Sequence, residues 1–186
     1  MIEHETLRAG ILLIAHAELQ DPNFRRTVVL LCEHYEGGSF GLILNRPLEL
    51  NLSEIVEDDL GANLPLYWGG PVQPNTLHVL HRYGSLVSDS IKVTDGVYWG
   101  GDYEQVKSLL QTGRVDPQGF KFFMGYSGWG EGQLESEMEG HSWYLFPADE
   151  YIVFEEDASR MWSRVLRKKG GPYAIVAMFP QDPQLN

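Results

Sequence analysis

Apolar residues in the first quarter of the chain fall into short runs that are separated by turn residues. Residues 10–15, 27–33 and 40–45 are rich in leucine, isoleucine and valine, and each run has the length of a buried strand. The Glu-Gly-Gly-Ser turn at residues 36–39 predicts a hairpin between the second and third runs. Pro47 ends the third strand, because proline cannot donate a hydrogen bond to a sheet.

The rest of the chain mixes short strands with capped helices. Asp102 and Asp157 are predicted N-caps, and the helix after Asp157 should bury Met161, Trp162, Val165 and Leu166. Asp95-Gly96 predicts a tight hairpin turn. A short helix is predicted from Asn51 or Ser53 to Asp59, another from Gln133, and residues 173–178 fit either a strand or a helix. Further strands are predicted at residues 66–68, 77–81, 91–94, 97–99, 121–125, 143–146 and 151–154.

This order of elements predicts the fold class. Strands cluster early, several tight hairpins occur, and the helices are scattered, which favours an α+β fold with a mostly antiparallel sheet over regular βαβ winding. A length of 186 residues fits one domain, so we expect residues 1–186 to form a single unit.

The charge balance argues against nucleic acid as a direct partner. The net charge is -12, from 26 acidic and 14 basic residues, and such a chain repels phosphate backbones. One basic cluster, at residues 160–169, lies near a predicted helix end, where cations stabilise exposed carbonyls.

The compartment is predicted from the single cysteine and from the N-terminus. Cys32 alone cannot form an intramolecular disulfide, which fits a reducing environment. Residues 1–7 carry Glu3 and Glu5 and no Lys or Arg, unlike a signal peptide, and no apolar stretch reaches the length of a membrane span. We therefore expect a cytoplasmic protein that does not contact a membrane.

The glycine-rich segment at residues 125–132 is the first candidate site. It is predicted to be a loop between a strand and a helix, where backbone amides can hold an anion. It has no Walker A lysine, and Trp129 stands where a nucleophile elbow needs glycine. The alternative interpretation is structural, because glycine permits positive φ and close backbone packing.

Arginines at predicted strand ends are the second candidate site. Arg25, Arg26, Asn45 and Arg46 should lie at the rim of the sheet, where guanidiniums bind carboxylates or phosphates in a bidentate manner. The same side chains can instead anchor loops through backbone carbonyls, and the sequence leaves both interpretations open.

Cysteine and histidine patterns do not indicate catalysis or metal binding. Cys32 and His34 should share one face of a strand, but neighbouring side chains on a face rarely align as a nucleophile and its base. His78 and His81 are three apart on a strand and should point to opposite faces. The sequence therefore predicts no catalytic residue, no metal site and no cofactor.

Nine segments of the chain match a known sequence pattern: residues 10–15, 19–24, 26–34, 41–47, 69–72, 77–81, 125–130 and 132–135, and the closing Asp-Pro-Gln-Leu-Asn at 182–186. Together they resemble the YqgE/AlgH family of bacterial proteins, and the resemblance covers the whole chain in order. It implies a compact α+β fold with a barrel-like sheet and says little about activity, although a transcriptional-regulator label is attached to some members. A second Tyr-Trp-Gly-Gly at residues 98–101 and His16-Ala17 depart from the family pattern.

Three functions stay open at this point. We favour a non-enzymatic protein that binds a protein partner or a small anionic ligand. The alternatives are an enzyme that holds an anionic small molecule with the 125–132 loop and the arginine rim, and a transcriptional regulator. The candidate ligand-binding residues are Arg26, Asn45, Arg46, Gly69, Gly70, Gly125, Tyr126, Gly128, Trp129, Gly130 and Gln133.

Overall fold

The computed structural model describes residues 5–181, which form ten strands and five α-helices. The closing residues 182–186, which belong to the family resemblance, lie outside the described part of the chain. No helix among residues 5–181 is both long and apolar enough to cross a membrane. The strands are β1 (Ile11–Ala15), β2 (Val28–Tyr35), β3 (Gly38–Ile43), β4 (Pro47–Asn51), β5 (Pro65–Trp68), β6 (Val72–His81), β7 (Ser90–Thr94), β8 (Val97–Gly100), β9 (Phe120–Gly130) and β10 (Trp143–Pro147). The helices are α1 (Tyr103–Thr112), α2 (Gln133–Glu139), α3 (Glu150–Phe154), α4 (Ala158–Lys169) and α5 (Pro172–Val176).

The strands form one curled, mostly antiparallel sheet, as the sequence predicts. Eight strands follow the order β10-β1-β2-β3-β9-β6-β8-β7, while β5 also pairs with β9, and β4 pairs with β5. The pairing of β5 with β9 is parallel, and the other pairs are antiparallel. The sheet curls so far that Gly10, just before β1, approaches edge strand β7: a Cβ on Gly10 would lie 2.9 Å from the Val93 carbonyl oxygen. The result is a half-barrel.

Both faces of the first strands are covered, which explains their unbroken apolar sequence. Leu12, Leu30 and Leu42 pack with α3 and α4 on one face. Their neighbours Leu13 and Val29 pack on the other face, together with Leu134 of α2. Side chains alternate across a strand, so a run that is apolar at every position requires a partner on each side. A third cluster joins α1 to β5 and to the first part of β9.

Turn and cap residues place several elements as predicted. β2 and β3 form a hairpin, and β7 and β8 form the hairpin around Asp95-Gly96. The Asp102 carboxylate accepts from Gln105 N at the start of α1, and the Asp157 carboxylate accepts from Ser159 N at the start of α4. Helix α4 buries Met161, Trp162, Val165 and Leu166, as its pattern predicts.

Two predicted elements are wrong in type. Residues 151–154 were expected to be a strand and instead belong to α3, because the Asp149 side chain caps Ile152 N and starts a helical turn. Residues 126–130, expected to be a loop after the strand 121–125, instead continue β9, and residues 127–130 pair with β3.

The structure also decides two predictions about helices, the short helix up to Asp59 and the ambiguous segment at 173–178. The expected helix up to Asp59 is a single 3₁₀ turn, Leu52–Glu54, after which the chain continues irregularly. The ambiguous segment at 173–178 is mostly helical, since α5 ends at Val176.

Candidate functional site

A cavity of about 830 Å³ opens where the start of β2, the end of β3 and the start of α4 meet. Its lining combines three arginines with amides, hydroxyls and one tryptophan, and contains no Asp or Glu among the residues that the structure describes. The lining residues are Gln20, Arg25, Arg26, Asn45, Arg46, Ala158, Ser159, Trp162, Ser163, Ala177 and Gln181. We call this space the arginine cavity.

Arg26 enters the cavity from an uncommon backbone conformation. Its φ is +57°, in the left-handed region that residues other than glycine rarely adopt. The side-chain amide of Asn45 holds this turn, because it donates to Arg26 O and accepts from Val28 N, both at 2.9 Å. Such outliers persist only where surrounding contacts impose them, and they cluster at functional sites.

The three guanidiniums also make backbone contacts, so the structural interpretation of the arginine rim holds in part. Arg46 donates to Arg25 O at 2.7 Å. Arg26 lies over the Trp162 ring, 4.0 Å from its centroid, and donates to the carbonyls of Phe179 and Pro180, while Arg25 donates to Gln181 O. A guanidinium has five N–H donors, so each arginine retains donors for a ligand.

The part of the cavity that the structure describes carries three positive charges and no carboxylate. Within residues 5–181, Arg25, Arg26 and Arg46 take part in no ion pair. The pKa of Arg26 is lowered by burial and by the neighbouring charge of Arg25, and the pKa of Arg46 is lowered by burial. A bound anion would relieve both effects, because an opposite charge favours the charged form of a guanidinium.

The candidate glycines serve backbone packing and do not line the arginine cavity as described. A Cβ on Gly69 would lie 2.3 Å from Gly125 O, and one on Gly70 would lie 2.2 Å from Tyr126 O. Gly125 itself has a φ of +69° and approaches Gly70 O in return. Two backbone segments therefore cross where only glycine fits, which supports the structural interpretation of these positions.

The other candidates on and after β9 make contacts within the fold. Tyr126 stacks on Phe40 with centroids 4.7 Å apart, and a Cβ on Gly128 would meet the Tyr126 ring at 3.2 Å. Trp129 is buried and donates to the Glu137 carboxylate at 3.0 Å.

Gln133, the first residue of α2, is the last candidate of this group. Its side-chain oxygen accepts from Gly130 N at 3.1 Å, and its amide donates to Glu137 at 3.2 Å. The predicted anion cradle therefore has no loop to form in, because residues 125–130 are strand and α2 has only seven residues.

The cysteine is a core residue. Cys32 is 1% exposed, and burial raises the pKa of its thiol. The register of β2 shifts between Leu31 and Glu33, so the expected shared face with His34 is wrong. His34 instead lies 2.8 Å from the Ser39 hydroxyl. This arrangement does not pair a nucleophile with a base.

Lys121 is a polar feature that sequence reasoning missed. Its amine is buried in β9, donates to Leu44 O at 2.9 Å and to Val153 O at 3.2 Å, and lies 4.2 Å from the centroid of Tyr67. Burial lowers its pKa from 10.5 to about 7. The signal was a single lysine flanked by Phe120, Phe122 and Phe123 in an apolar strand.

The cavity is also lined by residues that the sequence did not indicate as candidates. Gln20 and Gln181 come from irregular segments, and Ser159, Trp162 and Ser163 come from the first turns of α4. Trp162 was expected to be a core residue, and its side chain is buried. Its indole N–H donates to Ala15 O at 2.9 Å. Its position opposite Arg26 depends on long-range packing.

Comparisons with known proteins place the chain in a family. A family model described as AlgH-like matches residues 12–174. A UPF0301 protein of Chlorobium limicola is 48% identical over 184 residues, which cover 99% of this chain and 98% of that protein. A UPF0301 protein of Cytophaga hutchinsonii is 41% identical over 181 residues, which cover 97% of this chain and 100% of that protein.

Two solved structures have a similar fold. The solution structure of the AlgH protein from Pseudomonas aeruginosa is 29% identical, with a TM-score of 0.74 over 92% of this chain and 94% of that one. The crystal structure of protein DIP2367 from Corynebacterium diphtheriae has a TM-score of 0.82 over 95% of both chains, and its 21% identity supports the fold alone. The half-barrel, the relatives and the family model agree, and the chain belongs to the AlgH-like family of UPF0301 proteins.

Proposed function

We propose that this protein binds a small oxyanion, a phosphate or carboxylate group of a small molecule, in the arginine cavity. The observation that carries the proposal is the convergence of Arg25, Arg26 and Arg46 on one concave space whose described lining contains no carboxylate. In a chain with a net charge of -12, such a charge distribution favours a small anion that fits inside the cavity. Guanidinium forks are suited to phosphate and carboxylate oxygens.

Binding without catalysis fits the chemistry of the lining best. Ser159 donates its hydroxyl to Asp157, and this hydrogen bond is the largest cause that lowers the pKa of Asp157 and makes it a weak base. Ser163 donates to Arg160 O at 3.1 Å. Neither hydroxyl has the histidine or lysine partner that activates a serine nucleophile, within the lining that the structure describes.

Direct DNA binding is the weaker candidate. The basic cluster on α4 is partly engaged in the fold: Arg164 pairs with Glu156 at 3.0 Å, and Lys169 donates to Leu145 O at 2.8 Å. The arginines of the cavity lie in a concave space, where a DNA backbone would have to enter a pocket. A gel shift at low salt should show no retarded species, and a salt-sensitive shift would reverse this ranking.

Inorganic phosphate is the probe that tests the proposal. Isothermal titration calorimetry at low ionic strength should give saturable binding with one site per chain. The Arg46→Gln variant should bind roughly tenfold more weakly or worse, because a hydrogen bond to a charged group contributes about 1.5–3 kcal/mol. The phosphate affinity of Arg46→Lys should lie between those of the wild type and Arg46→Gln, since lysine keeps the charge and loses the bidentate fork.

The control is Arg114→Gln, which removes the same charge from an exposed position outside the cavity. Its phosphate affinity should stay within about twofold of the wild type, because Arg114 does not line the cavity and is exposed to water. Thermal melts verify that each variant folds, and Arg25→Gln serves as a second cavity variant if Arg46→Gln does not. No binding by the folded wild type, or equal losses in Arg46→Gln and Arg114→Gln, would refute the proposal.

A further inference from the structure

The residues that follow α5 contact the same guanidiniums that the proposed ligand needs. Residues 179–181 (Phe-Pro-Gln), here termed the C-terminal strap, present three successive backbone carbonyls to the arginine cavity. Arg26 Nη2 donates to Phe179 O at 2.7 Å and also to Pro180 O, and Arg25 Nη2 donates to Gln181 O. These carbonyl oxygens occupy donors that an oxyanion would otherwise use.

Little else among the described residues holds the strap. Met178 is 67% exposed and Phe179 is 48% exposed, so neither side chain is anchored in the core. Phe179 N donates to Val176 O at 3.0 Å, a contact that belongs to the end of α5. Within residues 5–181 the strap side chains donate or accept no side-chain hydrogen bond, although Gln181 lines the cavity. The attachment therefore depends on the two arginines.

We infer that the C-terminal strap is an internal competitor that occupies donors of Arg25 and Arg26 in its closed state, and that an oxyanion displaces it on binding. This inference rests on the proposed function, since it concerns access to the same site. A neutral carbonyl is a weaker partner for a guanidinium than an anionic oxygen, because it adds no attraction between two opposite charges. The exchange therefore favours the ligand, and the strap lowers the apparent affinity by the fraction of molecules in which it is closed.

Pro180→Gly in the full-length chain tests this competition without altering an arginine. Glycine makes the released strap more flexible and favours the open state, so phosphate affinity should rise about two- to fivefold. The matched control is Pro117→Gly, in the 3₁₀ turn before β9, which lies outside the cavity lining and should leave phosphate affinity unchanged.

A fluorophore on Gln181→Cys reports the position of the strap directly. Labelling is selective because Cys32 is 1% exposed. Added phosphate should change the emission with the midpoint that calorimetry gives for the same labelled protein, whereas the same label on Asn75→Cys, an exposed position of β6, should not respond.

The outcomes separate the two proposals. If the wild type binds phosphate but the strap label is silent and Pro180→Gly binds no more tightly, the competition is refuted and the oxyanion site stands. If the wild type does not bind phosphate at all, the proposed function fails, and the inference fails with it. A response of the strap label together with tighter binding by Pro180→Gly supports both.

Discussion

Wild-type protein should gain roughly 2–3 kcal/mol of stability between pH 7 and pH 9, and the Lys121→Met variant should lack this gain. Lys121 is buried, and its pKa falls from 10.5 to about 7. Between these values the unfolded chain binds the proton and the folded chain does not, so stability rises with pH at about 1.4 kcal/mol per unit. The penalty is complete below pH 7 and disappears as the pH approaches 10.5.

Other groups with shifted pKa values act mostly outside this window. Burial lowers the pKa of His78 and His81 below 6.5, so their contribution changes below pH 7. Burial raises the pKa of the Cys32 thiol, and also that of Tyr67, which faces Lys121. The unfolded thiol, with a pKa of 9.0, is half ionised at pH 9, so Cys32 removes about 0.4 kcal/mol of the gain in wild type and variant alike, whereas Tyr67 reduces stability mainly above about pH 9.

Urea unfolding at pH 7, 8 and 9 measures the gain in both proteins. The matched control is Lys92→Met, which removes an exposed lysine whose pKa is raised by its hydrogen bond to Asp95. Lys92→Met should keep the pH dependence of the wild type. Parallel pH profiles for Lys121→Met and the wild type would contradict the burial of a proton-releasing amine.

Gly125→Ala should lose roughly 2–5 kcal/mol of stability, whereas Gly130→Ala on the same strand should be nearly neutral. A Cβ at position 125 would lie 2.5 Å from Gly70 O, and the φ of +69° disfavours any L side chain. The left-handed backbone costs about 1–2 kcal/mol and the overpacking about 1–3 kcal/mol. At position 130 no heavy atom lies within 4 Å of the added Cβ.

Chemical denaturation of the three proteins measures this difference. A loss of this size is a large part of the total stability of an ordinary domain, so Gly125→Ala should also unfold at a clearly lower temperature. Equal stability of Gly125→Ala and Gly130→Ala would show that the close approach of Gly125 to Gly70 does not require glycine. If Gly125→Ala folded normally but lost phosphate binding, these glycines would return as ligand-site candidates.

The sequence predicted those parts of the fold that local chemistry determines. The Asp-Gly hairpin, the Asp102 and Asp157 caps and the buried face of α4 each depend on a few neighbouring residues. The prediction of a strand at residues 151–154 was wrong. Tyr-Ile-Val-Phe has strand propensity, but Asp149, two residues earlier, caps a helix. Propensity is a weak signal when a cap competes with it.

The candidate site was less predictable, because its geometry is long-range. Arg26 and Asn45 could be placed at strand ends, but the contact of Arg26 with Trp162 joins residues 136 positions apart. The glycine segment was assigned to a loop because glycine interrupts most strands, whereas here it permits two backbones to cross. The strap carbonyls carry no side-chain signal at all.

A crystal structure with bound selenate tests the oxyanion site most directly. Selenate resembles sulfate and phosphate in shape and charge, and the anomalous scattering of selenium locates it without ambiguity. The account predicts a peak within hydrogen-bonding distance of Arg26 and Arg46 in the wild type and its loss in Arg46→Gln. An arginine cavity free of selenate, at a selenate concentration well above the Kd that calorimetry gives for phosphate, would contradict the account.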